Sequence, residues 1–218
     1  DLLFQVTGIS GKNELGEEQA EVNKSLVGAL GQDRRDRILA ALYVCRSDTT
    51  AVVRSAAIDI WKALVANTPR TVKEIIPSLT QTLVKRLGAT DETHRTIAAA
   101  TLGDVVRRVG ANALGQLLPL LEELLLSSDT NAKQGICIAL TELISSAAPD
   151  AVSLYEETFV RIVRDALLDP AAEVRAAAAQ AFEALQGQLG KVVVDAVLPH
   201  LLQMLRLDDD ADIALLAL

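Results

Sequence analysis

A short segment recurs about every 40 residues along this chain. It reads Val53-Arg54-Ser55-Ala56-Ala57-Ile58, then His94-Arg95-Thr96-Ile97-Ala98-Ala99, Lys133-Gln134-Gly135-Ile136-Cys137-Ile138 and Val174-Arg175-Ala176-Ala177-Ala178-Ala179. The anchors Arg54, Arg95, Gln134 and Arg175 are spaced by 41, 39 and 41 residues. A period of that length signals stacked helical hairpins, each burying its apolar face against its neighbours. Such a chain acts through an extended surface rather than around one pocket.

The rest of the composition agrees with an all-α α-solenoid. Half the residues are hydrophobic but only 3% are aromatic, and Ala, Leu, Gln, Glu and Arg, all good helix formers, dominate. Regular pairing begins at Asp33. First (A) and second (B) helices are predicted at 33–46 and 50–66, 71–88 and 92–109, 112–126 and 130–147, and 151–168 and 170–189. That makes about four complete hairpins, with partial repeats at both ends. A fifth A helix is expected at 191–206. Residues 1–22 read as the end of an earlier helix followed by a flexible acidic loop, with a short helix over 22–30. Residues 23–218 read as the array, and the whole as a piece of a longer solenoid.

Turn chemistry supports this division. Asp48, Asp91, Asp129 and Asp169 each precede a B helix, where a carboxylate can accept a first-turn N–H. Asp169-Pro170 is the strongest case, a cap followed by Pro at the first helical position. Gly110 and Gly190 are placed to end B helices in the left-handed conformation. At offsets of 2, 3, 6 and 10 from the anchors, apolar and small residues share one face, and the third slot holds only Ala57, Ala98, Cys137 and Ala178. Pro77, Pro119 and Pro199 fall inside A helices, 42 and 80 residues apart. Phe159 occupies the intermediate place, so that A helix is expected to be straighter. Kinked A helices, an Asp turn and an Arg early in B resemble HEAT repeats.

Recurrence assigns Arg54, Arg95 and Arg175 to structure: each can bond a turn carboxylate of its own or the next repeat, forming a ladder between layers. Gln134 interrupts that ladder and is expected to loosen the stack locally. His94 fills the slot of Val53 and Val174, which reads as edge-of-core packing. His200 has no ligand-type residue at coordinating distance in sequence, and Cys45 and Cys137 are 92 positions apart, so no metal or cofactor is implied. Trp61, Leu102, Thr141 and Phe182 share a half-buried slot. No nucleophile–base pair, phosphate loop or carboxylate pair stands out, so an enzyme is not expected.

Net charge is −8, from 21 basic and 29 acidic residues, which opposes a general grip on DNA. No apolar run reaches membrane-spanning length. Local basic clusters remain as partner-binding candidates for phosphates or an acidic protein. Arg34, Arg35 and Arg37 gather at the start of an A helix, where the dipole disfavours cations; a partner site and a solvated face both fit. Lys85-Arg86 and Arg107-Arg108 sit in last turns, where capping also explains them. The acidic runs Glu17-Glu18 and Asp208-Asp209-Asp210 are read as aids to solubility.

Several stretches resemble one family: Asp33-Arg34-Arg35-Asp36-Arg37-Ile38-Leu39-Ala40-Ala41-Leu42, Arg46-Ser47-Asp48, Trp61-Lys62, Asn67-Thr68-Pro69-Arg70, Thr101-Leu102-Gly103-Asp104-Val105-Val106-Arg107 and Gln134-Gly135-Ile136-Cys137-Ile138. They are similar to the very large HEAT-repeat translational activators of general amino-acid control. The resemblance covers about residues 23–218. It implies a cytoplasmic, ribosome-bound scaffold that promotes activation, on stalled ribosomes, of the starvation kinase of initiation factor two alpha. It also implies an ATP-binding-cassette partner. Both partners would bind regions outside this segment, leaving it a connecting, ribosome-facing array. The competing reading is a generic HEAT adaptor, such as a nuclear-transport receptor or phosphatase scaffold.

Overall fold

The computed structural model describes residues 15–126 and 129–204. Among them are eleven helices: α1 (Leu15–Leu30), α2 (Gln32–Cys45), α3 (Ala51–Leu64), α4 (Thr68–Leu87), α5 (Glu92–Val109), α6 (Ala111–Leu125), α7 (Thr130–Ser146), α8 (Pro149–Leu154), α9 (Glu156–Leu167), α10 (Ala172–Leu189) and α11 (Lys191–Met204). No strand occurs among the described residues. The A helices are α2, α4, α6, the α8–α9 pair and α11; the B helices are α3, α5, α7 and α10.

The joints between hairpins alternate in kind. Gly31, Gly110 and Gly190 have φ of 78°, 81° and 69°, and each alone links a B helix to the next A helix. Only glycine adopts that conformation without steric cost, so one residue reverses the chain. The intervening joints use proline-initiated entries instead. Val65–Asn67 precede α4, where Asn67 Oδ1 accepts the Arg70 N–H at 3.0 Å, and Ala147–Ala148 precede Pro149 at the start of α8. Gly31 therefore places α1 where a B helix stands in the later hairpins. It starts at Leu15, taking in residues 15–22 that the sequence assigned to the loop. Residues 1–14, 127–128 and 205–218, including the earlier helix end and the last acidic run, lie outside the described residues.

The chain divides into two compact units, after Thr82. In the first, Leu39, Tyr43, Val44, Ala57, Trp61, Leu64, Val72, Ile75 and Leu79 form the core. Tyr43 and Trp61 meet edge to face, with ring centroids 5.0 Å apart, and the Trp61 indole N–H donates to Thr68 Oγ1 at 2.9 Å. In the second unit α5 packs on α7 and α7 on α10. Small residues set the spacing: a Cβ on Gly103 would lie 2.7 Å from Ser146 Oγ, and one on Gly135 would collide with the Leu87 carbonyl.

The small third slot (Ala57, Ala98, Cys137, Ala178) is buried in all four hairpins, as is the tenth (Leu64, Val105, Ile144, Leu185). The second and sixth slots are buried in α5, α7 and α10 but exposed in α3, at Ala56 and Ile60. Trp61 and Leu102 are buried rather than half-buried, while Thr141 and Phe182 are intermediate.

The fourth A helix is not straighter. It breaks at Tyr155 (φ −112°, ψ 21°) into α8 and α9, whereas α4, α6 and α11 run through their prolines. Those prolines face solvent, but Phe159 is fully buried. The break brings the Tyr155 hydroxyl against Gly115 of α6, where a Cβ would come within 2.7 Å of it.

Candidate functional site

The recurrent arginines do not form a carboxylate ladder. Each clasps its own turn through one nitrogen, Nη1, donating to the backbone carbonyls six and five residues earlier. Arg54 bonds Asp48 O and Thr49 O at 2.6 and 2.7 Å. Arg95 bonds Ala89 O and Thr90 O at 2.6 and 2.9 Å, and Arg175 bonds Asp169 O and Pro170 O at 2.9 and 2.8 Å. Turn carbonyls left without a helical partner attract a cation, and a planar guanidinium can span two of them.

The aspartates act locally. Each accepts the N–H two residues ahead: Asp48 from Thr50, Asp91 from Thr93, Asp129 from Asn131 and Asp169 from Ala171, at 2.8–2.9 Å. Only Asp91 and Asp129 are helix N-caps. Asp169-Pro170 is not a cap followed by a first helical residue, because α10 starts at Ala172 and its N-cap is Ala171; Pro170 sits in the turn. The Thr93 N–H holds the Asp91 carboxyl below its ordinary value.

Gln134 does not loosen the stack. Its Oε1 accepts from Arg95 Nη2 at 3.1 Å, and its neighbour Lys133 pairs with Asp169 at 2.8 Å. The third hairpin thus bonds both adjacent turns. Gly135 makes the approach possible, since a Cβ there would also lie 3.2 Å from Arg95 Cδ. Burial and, secondarily, the charge of Asp169 push the Cys137 thiol up to about 12, so it is an inert core group.

The basic clusters separate. Arg35 is buried at 2% exposure, bonded to Asp36 at 2.7 Å and reaching Glu74 at 3.5 Å, so it presents nothing to an outside phosphate. Arg37 pairs with Asp33 at 2.6 Å on the exposed surface, and Arg34 is exposed. In the second unit, Lys85 is exposed and Arg86 half-buried. Arg107 donates to Ser146 Oγ at 2.7 Å, and Arg108 pairs with Asp104 at 2.8 Å. Lys85-Arg86 precede the turn into α5, whereas Arg107-Arg108 lie at its far end. An 18-residue helix separates them by roughly 27 Å, so they do not form one patch.

His94 is exposed rather than at the core edge. His200 is exposed too, its Nδ1 3.2 Å from Ala196 O and its Nε2 3.4 Å from Arg164 Nη1. Arg46 stacks over Tyr43 and Trp61, 4.7 and 5.3 Å from the ring centroids, a cation–π arrangement. Its Nε and Nη1 have no hydrogen-bond partner. Among the described residues no group of three His, Cys, Asp or Glu could hold a metal, and no helix is long and apolar enough to cross a membrane.

Sequence reasoning missed the contacts between repeats, although they carry a signal. Arg35–Glu74, Arg95–Gln134, Arg107–Ser146 and Glu122–Arg161 each join residues 39 positions apart. Complementary polar residues one period apart identify the pairs that face each other across layers.

This array matches the family model described as stalled ribosome sensor GCN1-like HEAT repeats, over residues 68–211. The chain belongs to this family. Across all of its length it is 56% identical to the eIF-2-alpha kinase activator GCN1 of Saccharomyces cerevisiae. It is 45% and 44% identical, again over 100% of its length, to the stalled ribosome sensors GCN1 of Mus musculus and Homo sapiens. In each case it spans 8% of the relative's length. The expected family and the all-α HEAT fold are thereby established.

Proposed function

We propose that this chain is a non-enzymatic scaffold segment of a ribosome-associated, cytoplasmic activator of the kinase of initiation factor two alpha. The observation that carries this reading is its 44–56% identity, end to end, with relatives named as that activator and as stalled ribosome sensors. The helical array, whose polar side chains are spent on turn clasps and cross-repeat bonds, suits a scaffold rather than a catalyst. Kinase and ATP-binding-cassette partners are assigned to parts of the whole protein beyond this segment.

Within the segment, Arg34 on the first unit and Lys85 and Arg86 on the second are proposed as separate contacts to ribosomal RNA or an acidic ribosomal protein. Arg37, Arg107 and Arg108 could join them, because exposed ion pairs of this kind are worth only about 0–1 kcal/mol and are readily exchanged. Cosedimentation of the purified chain with ribosomes across a salt series tests this. Weak binding that falls as salt rises is expected, with further loss when Arg34, Lys85 and Arg86 are replaced by Glu. Unchanged binding by the triple variant removes these residues as contacts.

A further inference from the structure

One arginine of the first unit stands where the repeat otherwise has leucine. Eight residues before the anchors Arg95, Gln134 and Arg175 come Leu87, Leu126 and Leu167, whereas eight before Arg54 comes Arg46. Leu87 and Leu167 are buried, at 1% and 3% exposure, and Arg46 is half-buried. Its side chain is held by ring faces, with Cζ 4.7 Å from the Tyr43 centroid and 5.3 Å from that of Trp61.

The stacked position leaves its donors unused. Nε and Nη1 of Arg46 are enclosed without a hydrogen-bond partner, and no ion pair to Arg46 is present among the described residues. Asp48, two residues on, accepts the Thr50 N–H instead. Arg35 and Arg95 are more deeply buried, yet Arg35 has Asp36 and Arg95 has the carbonyls of its turn. Enclosing charged donors without acceptors costs more than packing a leucine, and aromatic faces offset only part of that cost. A charge kept where leucine packs in other hairpins is the kind of local violation found at functional positions.

We propose that Arg46 is a partner-binding residue, and that its ligand is a carboxylate on an acidic peptide segment of another protein. The guanidinium fork matches a carboxylate, whose two oxygens satisfy two parallel N–H groups. Pairing requires the side chain to turn away from the rings, because Nε and Nη1 are enclosed in the stacked position. A phosphate is a poorer match. Phosphate sites draw on helix N-termini, whereas Arg46 is the C-cap of α2, where the dipole disfavours added negative charge. The nearby Arg54 spends its Nη1 on turn carbonyls, so a single cation meets a single negative charge. This inference stands on the geometry around Arg46 and is independent of the ribosome contacts.

Trp61 is the only tryptophan of the chain, so its emission reports directly on the stack. The test titrates the 218-residue chain with a short oligoglutamate peptide, its oligoglutamine counterpart and inorganic phosphate at matched ionic strength. Oligoglutamate is expected to change Trp61 emission saturably, and the other two are not. Arg46→Lys keeps the charge without the fork and should weaken the peptide about tenfold. Arg46→Leu should abolish the response and raise the melting temperature by about 2–4 °C. No saturable response to oligoglutamate, or one that survives Arg46→Leu, overturns the proposal. A response to phosphate that equals or exceeds that to the peptide overturns the carboxylate assignment. A melting temperature that Arg46→Leu lowers or leaves unchanged makes Arg46 a brace between the rings, and also overturns the proposal.

Discussion

The turns of the second and third hairpins occupy the same place in the repeat, yet they are held in different ways. In the second, Arg95 folds back on its own turn and donates to Ala89 O and Thr90 O. In the third, the equivalent Gln134 accepts from Arg95 of the preceding layer, and Lys133 reaches Asp169 of the following one. Arg95 closes its own turn through Nη1 and reaches the next layer through Nη2, whereas Gln134 serves the joint between layers. A departure from the repeated pattern can therefore strengthen an array, provided it converts a local bond into one that crosses layers.

The largest effect is expected at Gly135, because the joint requires the missing side chain. Gly135→Ala places a Cβ against the Leu87 carbonyl, a backbone atom that cannot swing aside, and should cost about 3 kcal/mol. Gly187, in α10, has nothing within 4 Å of an added Cβ, so Gly187→Ala should instead stabilise by about 0.5–1 kcal/mol. Urea unfolding of the two variants checks both signs. Equal effects would mean that close packing at the joint is not what the glycine serves.

Gln134→Arg restores the residue of the other three hairpins and should nonetheless destabilise by about 1–2 kcal/mol. It places a second guanidinium beside Arg95, which is 5% exposed, and replaces an acceptor with a like charge. A gain in thermal stability would show that the clasp within a turn outweighs the bond between layers.

The smallest effect sharpens the comparison at its local end. The Thr93 N–H lowers the Asp91 pKa in the folded state. Its stabilisation is complete above the unfolded aspartate pKa and is lost as pH falls through the folded value. Asp91→Asn should therefore lower the urea midpoint at pH 7, with the gap to the parent chain closing in acid. A gap that persists in strong acid would assign the effect to something other than the carboxylate.

Much of the fold was legible in the residues because helical periodicity and turn chemistry are local. The helices and turns follow from spacings within about twenty residues, and the period and the buried third slot from comparing residues about 40 apart. The breaks in legibility have one cause. Asp169-Pro170 reads as a cap and a first helical residue, but in the folded turn the helix starts two residues later. Phe159 reads as a straightener, but a phenylalanine at a proline place turns inward, and the helix breaks at Tyr155. Arg34, Arg35 and Arg37 read as one basic cluster, but adjacent residues on a helix point in different directions, so Arg35 is buried while Arg34 stays outside.

By itself, the sequence determined that this protein is a stack of helical hairpins and, by resemblance, which family it belongs to. Only the tertiary structure decided which polar groups are spent on holding it together. Hairpin formation depends on neighbours along the chain, whereas the Arg95–Gln134 bond and the Leu87 approach to Gly135 depend on how one layer is set against the next.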